Sequence, residues 1–84
     1  MSQIDKLKDS FGDCRGTYRY RDFERLITAM GFAQLRAGKT GGSRRKFMHG
    51  MTKSMIFLDE PHDGEMRPAM VRRLQEQLEN LGLL

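Results

Sequence analysis

The stretch "YRDFERLITAMGFAQLRAG", residues 20–38, decides the fold, because its hydrophobic period changes halfway along. Phe23, Leu26, Ile27 and Met30 fall at i, i+3, i+4 and i+7, one face of a 3.6-residue helix. Gly31 supplies the left-handed residue that ends such a helix, so the spacing predicts a helix over Tyr20–Met30. Arg19, at the position before it, is a poor cap, although Tyr18 and Phe23 are spaced as a hydrophobic staple. After Gly31 the period becomes two. Ala33, Leu35 and Ala37 lie on one side, Gln34 and Arg36 on the other, which is the alternation of a strand.

Upstream, "SQIDKLKDSF" has Ser2 and Asp5 in capping-box-like spacing and Ile4, Leu7 and Phe11 in helical period, so a short amphipathic helix is expected before the break at "GDCRG". Downstream, "KTGGSRRKFMHG", residues 39–50, reads as a glycine-rich turn feeding a second strand. Ser43, Arg45, Phe47 and His49 share one face of that strand, with Phe47 inward, and Arg44, Lys46 and Met48 share the other. "GMTK" makes a second turn and "SMIFLD" a third, more apolar strand, in which Phe57 is expected inside with Phe23. "EPHDGEMRP", residues 60–68, is a polar connection. Pro68 then suits the first turn of a last helix, whose Val71, Leu74, Leu78 and Leu81 form its apolar stripe and which Gly82 ends. The order is α, α, β, β, β, α: an α+β fold with its helices on one face of a three-stranded antiparallel meander and the other sheet face open.

Eighty-four residues suit a single domain over 1–84, with residues 1–16 as an N-terminal helix and loop and 17–84 as the core. A chain this short buries a small core and gains from a partner. One cysteine, Cys14, provides neither a disulfide framework nor a cysteine-rich zinc site, and fits a reducing, cytoplasmic setting. No stretch has the length of a membrane span, and the N-terminus lacks the apolar core of a signal peptide. Fifteen basic against eleven acidic residues give a net charge of +4. Its distribution says more than its size. From Arg25 to Leu58 there is no acid, while Arg25, Arg36, Lys39, Arg44, Arg45, Lys46 and Lys53 all fall there, the footprint of a chain that faces a polyanion. A solvated basic hairpin has the same composition.

The segments "YRDFERLITAMGF", "GGSRRKF" and "EPHDGEMRPAMVRRLQEQLENLGL" together resemble the HicA family, the small mRNA interferase toxins of bacterial toxin–antitoxin pairs. The resemblance runs from about Tyr18 to Leu83 and rests on three things: the helix ending at Gly31-Phe32, the Gly42-Ser43 turn, and the Pro61-His62 loop before the last helix. It implies a double-stranded-RNA-binding-like α-β-β-β-α layer, to which the first helix here is an addition. It also implies an RNA (mRNA) target, metal-independent endoribonuclease chemistry without a cofactor, and a HicB-like antitoxin. The departure is chemical: members of the well-known type carry Gly-Ser-His-His where this chain has Gly42-Ser43-Arg44-Arg45.

Metal-free RNA cleavage needs a base for the 2′-hydroxyl proton, an acid for the leaving oxygen and cations for the charge growing on phosphorus. Histidine serves the first two because it titrates near about 6.5; arginine stays protonated. Arg44 and Arg45 therefore suit phosphate clamping and transition-state stabilisation, with Lys39, Ser43 and Lys46 as further RNA contacts. Two histidines remain for proton transfer. His49 shares a face with Arg45 but stands roughly 13 Å along the strand, at about 3.3 Å per residue, and beside Gly50 is expected to be exposed. His62, in the loop matching the family's Pro-His element, is the candidate catalytic histidine beside Arg45. Tyr18, Tyr20 and Phe47 are candidates for stacking on bases. "GKTGG" lacks P-loop spacing, so no nucleotide site follows. Three outcomes stay open: a ribonuclease toxin held by its antitoxin, a non-catalytic RNA-binding module of the same fold, and an interaction domain for an acidic protein.

Overall fold

The computed structural model describes residues 3–35 and 44–84. Three helices, α1 (Gln3–Gly12), α2 (Tyr20–Met30) and α3 (Pro68–Asn80), pack with five strands: β1 (Tyr18–Arg19), β2 (Phe32–Leu35), β3 (Arg44–His49), β4 (Met55–Asp59) and β5 (Glu65–Met66). β2, β3 and β4 form the antiparallel meander, in that order, and β1 pairs with β5 in a small second sheet. The expected order α, α, β, β, β, α is observed, with the two short strands β1 and β5 added to it. The capping role of Ser2 and the placements of Arg36, Ala37, Lys39, Gly42 and Ser43 lie outside the described residues.

α2 has the predicted bounds, and Gly31 closes it at φ 109°. Arg19 contributes no side-chain cap. The first orphan N–H, on Tyr20, instead donates to the carbonyl of Gly64 at 2.9 Å, a long-range substitute for a local cap. Tyr18 and Phe23 are both buried, as a staple requires. The residues on the inner face of α2 join Phe11 of α1, Phe47 of β3, Ile56 and Leu58 of β4, and Val71, Leu74 and Leu78 of α3 in one core. Fully burying side chains of this size contributes about 1.5–3 kcal/mol each relative to leaving them exposed. Leu81 falls just beyond the end of α3 and is exposed rather than part of its stripe.

α3 also covers an edge. Gln77 Nε2 donates to the Met55 carbonyl at 2.9 Å and an Arg73 Nη2 to the Phe57 carbonyl at 3.2 Å, which occupies backbone acceptors on the side of β4 away from β3. At the other end of the helix layer, Gln75 Nε2 donates to the carbonyls of Phe11 and Cys14, tying the end of α1 to α3.

The connection at 60–68 is more ordered than its polar composition suggests. Gly64 N–H donates to the Pro61 carbonyl at 3.2 Å, closing a turn with His62 and Asp63 at its centre, and Gly64 takes φ 80°, a left-handed value that suits glycine. Asp63 Oδ1 accepts the Glu65 N–H at 3.0 Å, and Oδ2 accepts from Arg67. That backbone hydrogen bond and then the Arg67 guanidinium hold the Asp63 carboxyl below its ordinary range. β5 then pairs Met66 with Tyr18 and Glu65 with Arg19. The loop is thereby docked on the entry to α2.

Candidate nucleic-acid interface

Register sorts the basic residues onto two faces. β3 pairs with β4 as Arg44 with Asp59, Lys46 with Phe57 and Met48 with Met55; β2 adds Leu35 opposite Lys46 and Ala33 opposite Met48. These side chains share the outer face, away from the helices. Arg45, Phe47 and His49 point to the helix side. There Phe47 is buried as expected, and the exposure of Arg44 and Lys46 fits the reading of their strand face.

Phe57 corrects an expectation. It is 48% exposed, on the outer face directly across from Lys46. Its neighbours Ile56 and Leu58 are the buried ones. The alternation carried the signal: Phe57 has the parity of Asp59, and a carboxylate at the end of a strand marks the wet face. Directly opposed side chains in an antiparallel pair have Cβ atoms about 4.5–5.5 Å apart, so Lys46 and the exposed Phe57 leave the sheet as neighbours. Arg73, bound to the Phe57 carbonyl, brings a third cation to that edge with Arg44 and Lys46.

The expected stacking residues are elsewhere. Tyr18, Tyr20 and Phe47 are all in the core. Tyr18 donates its hydroxyl to Ser10 Oγ at 3.4 Å and packs edge-on against Phe11 at 5.0 Å. Burial raises its phenol above the ordinary value. Tyr20 is 5% exposed, and its hydroxyl has no hydrogen-bond partner. Burial first, and the carboxylates of Glu24 and Glu60 next, push that phenol up to about 12.

His49, expected at the surface, is 7% exposed. Its Nε2–H donates to the Met30 carbonyl at 2.8 Å, and its Nδ1 accepts the N–H groups of Met51 and Thr52 at 3.2 and 3.3 Å. The ring also meets Phe32 edge-on at 5.1 Å. Both nitrogens are spent on backbone, in the tautomer protonated at Nε2. A side chain added at Gly31 would meet Nε2 at 2.8 Å, so the helix-ending glycine is also the space the imidazole occupies. His49 is a clasp between α2 and the 49–54 turn, and it is unavailable to a substrate.

His62 is exposed and makes no hydrogen bond or ion pair among the described residues. It sits at the centre of the closed turn and shares a shallow cleft with Arg67 and Met70 at the start of α3. Arg45 lies beside this turn. Its Nε donates to Glu60 Oε1 at 3.1 Å and its Nη1 to the Arg44 carbonyl at 3.1 Å. Arg45 thus meets a carboxylate, Glu60, that lines one cleft with His62 and that the sequence reading did not single out. Charges at this end of the sheet come in pairs: Arg44 with Asp59 at 3.7 Å, Arg45 with Glu60, and Arg67 with Asp63 at 2.6 Å. Lys39 and Ser43, the other proposed RNA contacts, lie outside the described residues. Among those residues no group of three or more His, Cys, Asp or Glu is arranged to hold a metal ion, and no helix is long and apolar enough to cross a membrane.

No family model, curated protein or solved structure matches this chain.

Proposed function

We propose that this protein is an RNA-binding toxin of the HicA type, an mRNA endoribonuclease that holds single-stranded RNA across the outer face of the meander and is silenced by a HicB-like antitoxin. One observation carries the reading: Phe57 stands exposed opposite Lys46, on the face that also presents Arg44. A base stacks on an aromatic ring without regard to sequence, and neighbouring cations hold the phosphates on either side of it. Soluble proteins have little other use for a large ring on an open strand face unless a partner covers it. Half-buried Met48 and Met55 beside Phe57 give the same face an apolar strip that suits an antitoxin, so inhibitor and RNA would compete for it.

A second reading, an RNA-binding module without cleavage, is favoured by one fact. His49 is committed to the fold and arginines stand at the family's histidine positions, which leaves His62 as the remaining imidazole.

Binding of a labelled single-stranded RNA to antitoxin-free protein, followed across a salt series, tests the first reading. Affinity is expected to fall steeply with salt and to drop when Phe57 or Lys46 is replaced by alanine. RNA that fails to bind at low salt would remove both readings and leave a protein-interaction domain. Growth arrest on induction, with mRNA loss relieved by the antitoxin, tests the toxin assignment in cells.

A further inference from the structure

We propose that Glu60 is the general base of the cleavage reaction, acting with His62 as general acid and Arg45 as the cation at the phosphate; this rests on the ribonuclease reading above. The sequence supplies a cation and an acid but no base, since arginine cannot take a proton at neutral pH. Tertiary structure supplies the missing group. The register of β3 on β4 sets Arg44 against Asp59, so the chain leaving β4 passes the start of β3 and delivers Glu60 to Arg45.

The guanidinium engages Glu60 through Oε1 only. Oε2 accepts no hydrogen bond among the described residues, and the Glu60 side chain is 43% exposed, so it is oriented yet reachable. His62 follows two residues later on a turn held by the Gly64-to-Pro61 hydrogen bond, by Asp63 and by the β1–β5 pair. Glu60 and His62 line the same shallow cleft. Of the four carboxylates that line this cleft, Asp59, Glu60, Asp63 and Glu65, the first three are each paired with an arginine, which offsets their charge toward an anionic substrate. The outer face leads to it. Phe57 precedes Asp59 on the same side of β4, so RNA stacked on Phe57 and held by Arg44 runs off the sheet toward Glu60.

The step balances without another reactant. The Glu60 carboxylate takes the 2′-hydroxyl proton as O2′ bonds to the adjacent phosphorus. The bond from phosphorus to O5′ breaks, and the imidazolium of His62 gives its proton to that oxygen. Arg45 faces the charge on the non-bridging oxygens. The products are a 2′,3′-cyclic phosphate and a 5′-hydroxyl, and the two side chains have exchanged protonation states.

The test uses antitoxin-free full-length protein and an end-labelled single-stranded RNA, with binding and cleavage measured in parallel for wild type, Glu60→Gln, Glu60→Asp and His62→Gln. Glu60→Gln and His62→Gln are each expected to slow cleavage by about 100-fold or more, the usual reach of general acid–base catalysis, with RNA affinity changed less than about twofold. Glu60→Asp is expected to retain part of the rate, and wild-type products to end in a cyclic phosphate. Glu60→Gln cleaving at the wild-type rate, or wild-type products that lack a cyclic phosphate at every time point, would overturn the assignment. Should Glu60→Gln fail to fold, His62→Gln and the product ends still decide it. Wild-type protein that binds RNA but leaves it intact would overturn the Glu60 role and the nuclease reading together while sparing RNA binding. Absence of binding would remove the RNA reading itself.

Discussion

The chain has two histidines, and the sheet separates them. His49 ends β3, where both ring nitrogens are tied to backbone and the ring is sealed against Phe32. His62 lies beyond the last residue of β4, at the end where β3 begins, exposed on a closed turn with its ring unengaged among the described residues. The same residue type serves the fold at one end and is offered to solvent at the other. A histidine is informative about function only once its hydrogen bonds are counted. At the His49 end the imidazole's partners are all backbone, whereas at the His62 end charged side chains pair with one another near solvent.

Replacing the two histidines is the most direct way to break that contrast. His49→Ala strands the Met30 carbonyl and two N–H groups and opens a gap beside Phe32, at an expected cost of about 2–4 kcal/mol. For a domain of this size each kcal/mol lowers Tm by about 4–8 °C, so thermal unfolding reads the effect plainly. His62→Ala is expected to change stability by less than about 0.5 kcal/mol. Equal losses from both would erase the distinction. Gly31→Ala, with a left-handed backbone and Nε2 in its way, should approach the cost of His49→Ala at about 2–3 kcal/mol.

Tyr20 sharpens the comparison from the other end, since its hydroxyl is the buried polar atom there without a partner. Its phenol sits at about 12 in the fold against 10.0 for the unperturbed group. Below pH 10 both states hold the proton and stability is unaffected. Between about pH 10 and 12 the unfolded chain ionises and the folded one resists, so stability falls, by up to about 2–3 kcal/mol at about 1.4 kcal/mol per unit. Urea unfolding of Tyr20→Phe is expected to lack this part of the alkaline loss. At neutral pH the variant should be as stable as wild type or more so, because an unsatisfied hydroxyl is removed.

Phe57→Ala should weaken RNA binding by about 1–3 kcal/mol, and Lys46→Ala should reduce the salt slope by about 0.7. Neither side chain is part of the core, so folding should be little affected. An unchanged salt slope in Lys46→Ala would move the RNA contact off this face. The smallest effect belongs to Lys53, which holds φ 62° in the turn that His49 clasps. Lys53→Gly relieves that left-handed strain but adds freedom to the unfolded chain, and the two leave a net change within about 0.5 kcal/mol in a urea titration.

Much of the fold was legible from local signals. The bounds of α2 followed from four apolar residues and a glycine, and the meander from the change of period at Gly31. The β1–β5 pair was not legible, because two-residue strands have no period and their pairing is long-range. The candidate site was legible only in part. Arg44, Lys46 and the availability of His62 could be read from the chain, but the exposure of Phe57 was masked by its apolar neighbours. Glu60 gave no signal at all, since nothing local marks a glutamate that will meet an arginine fifteen residues earlier.

By itself, then, the sequence determined the three helices, the three strands of the meander, their order, and the acid-free basic stretch in the middle. Periodicity, helix stops and charge runs are properties of neighbouring residues. Only the tertiary structure decided that His49 is a clasp, that Tyr18 and Tyr20, candidates for stacking on bases, are core, and that Arg45, Glu60 and His62 gather at one end of the sheet. The physical reason is register. Which side of a strand is buried, and which side chains meet across it, depend on the partner strand and the helices packed above it, and no local pattern encodes those.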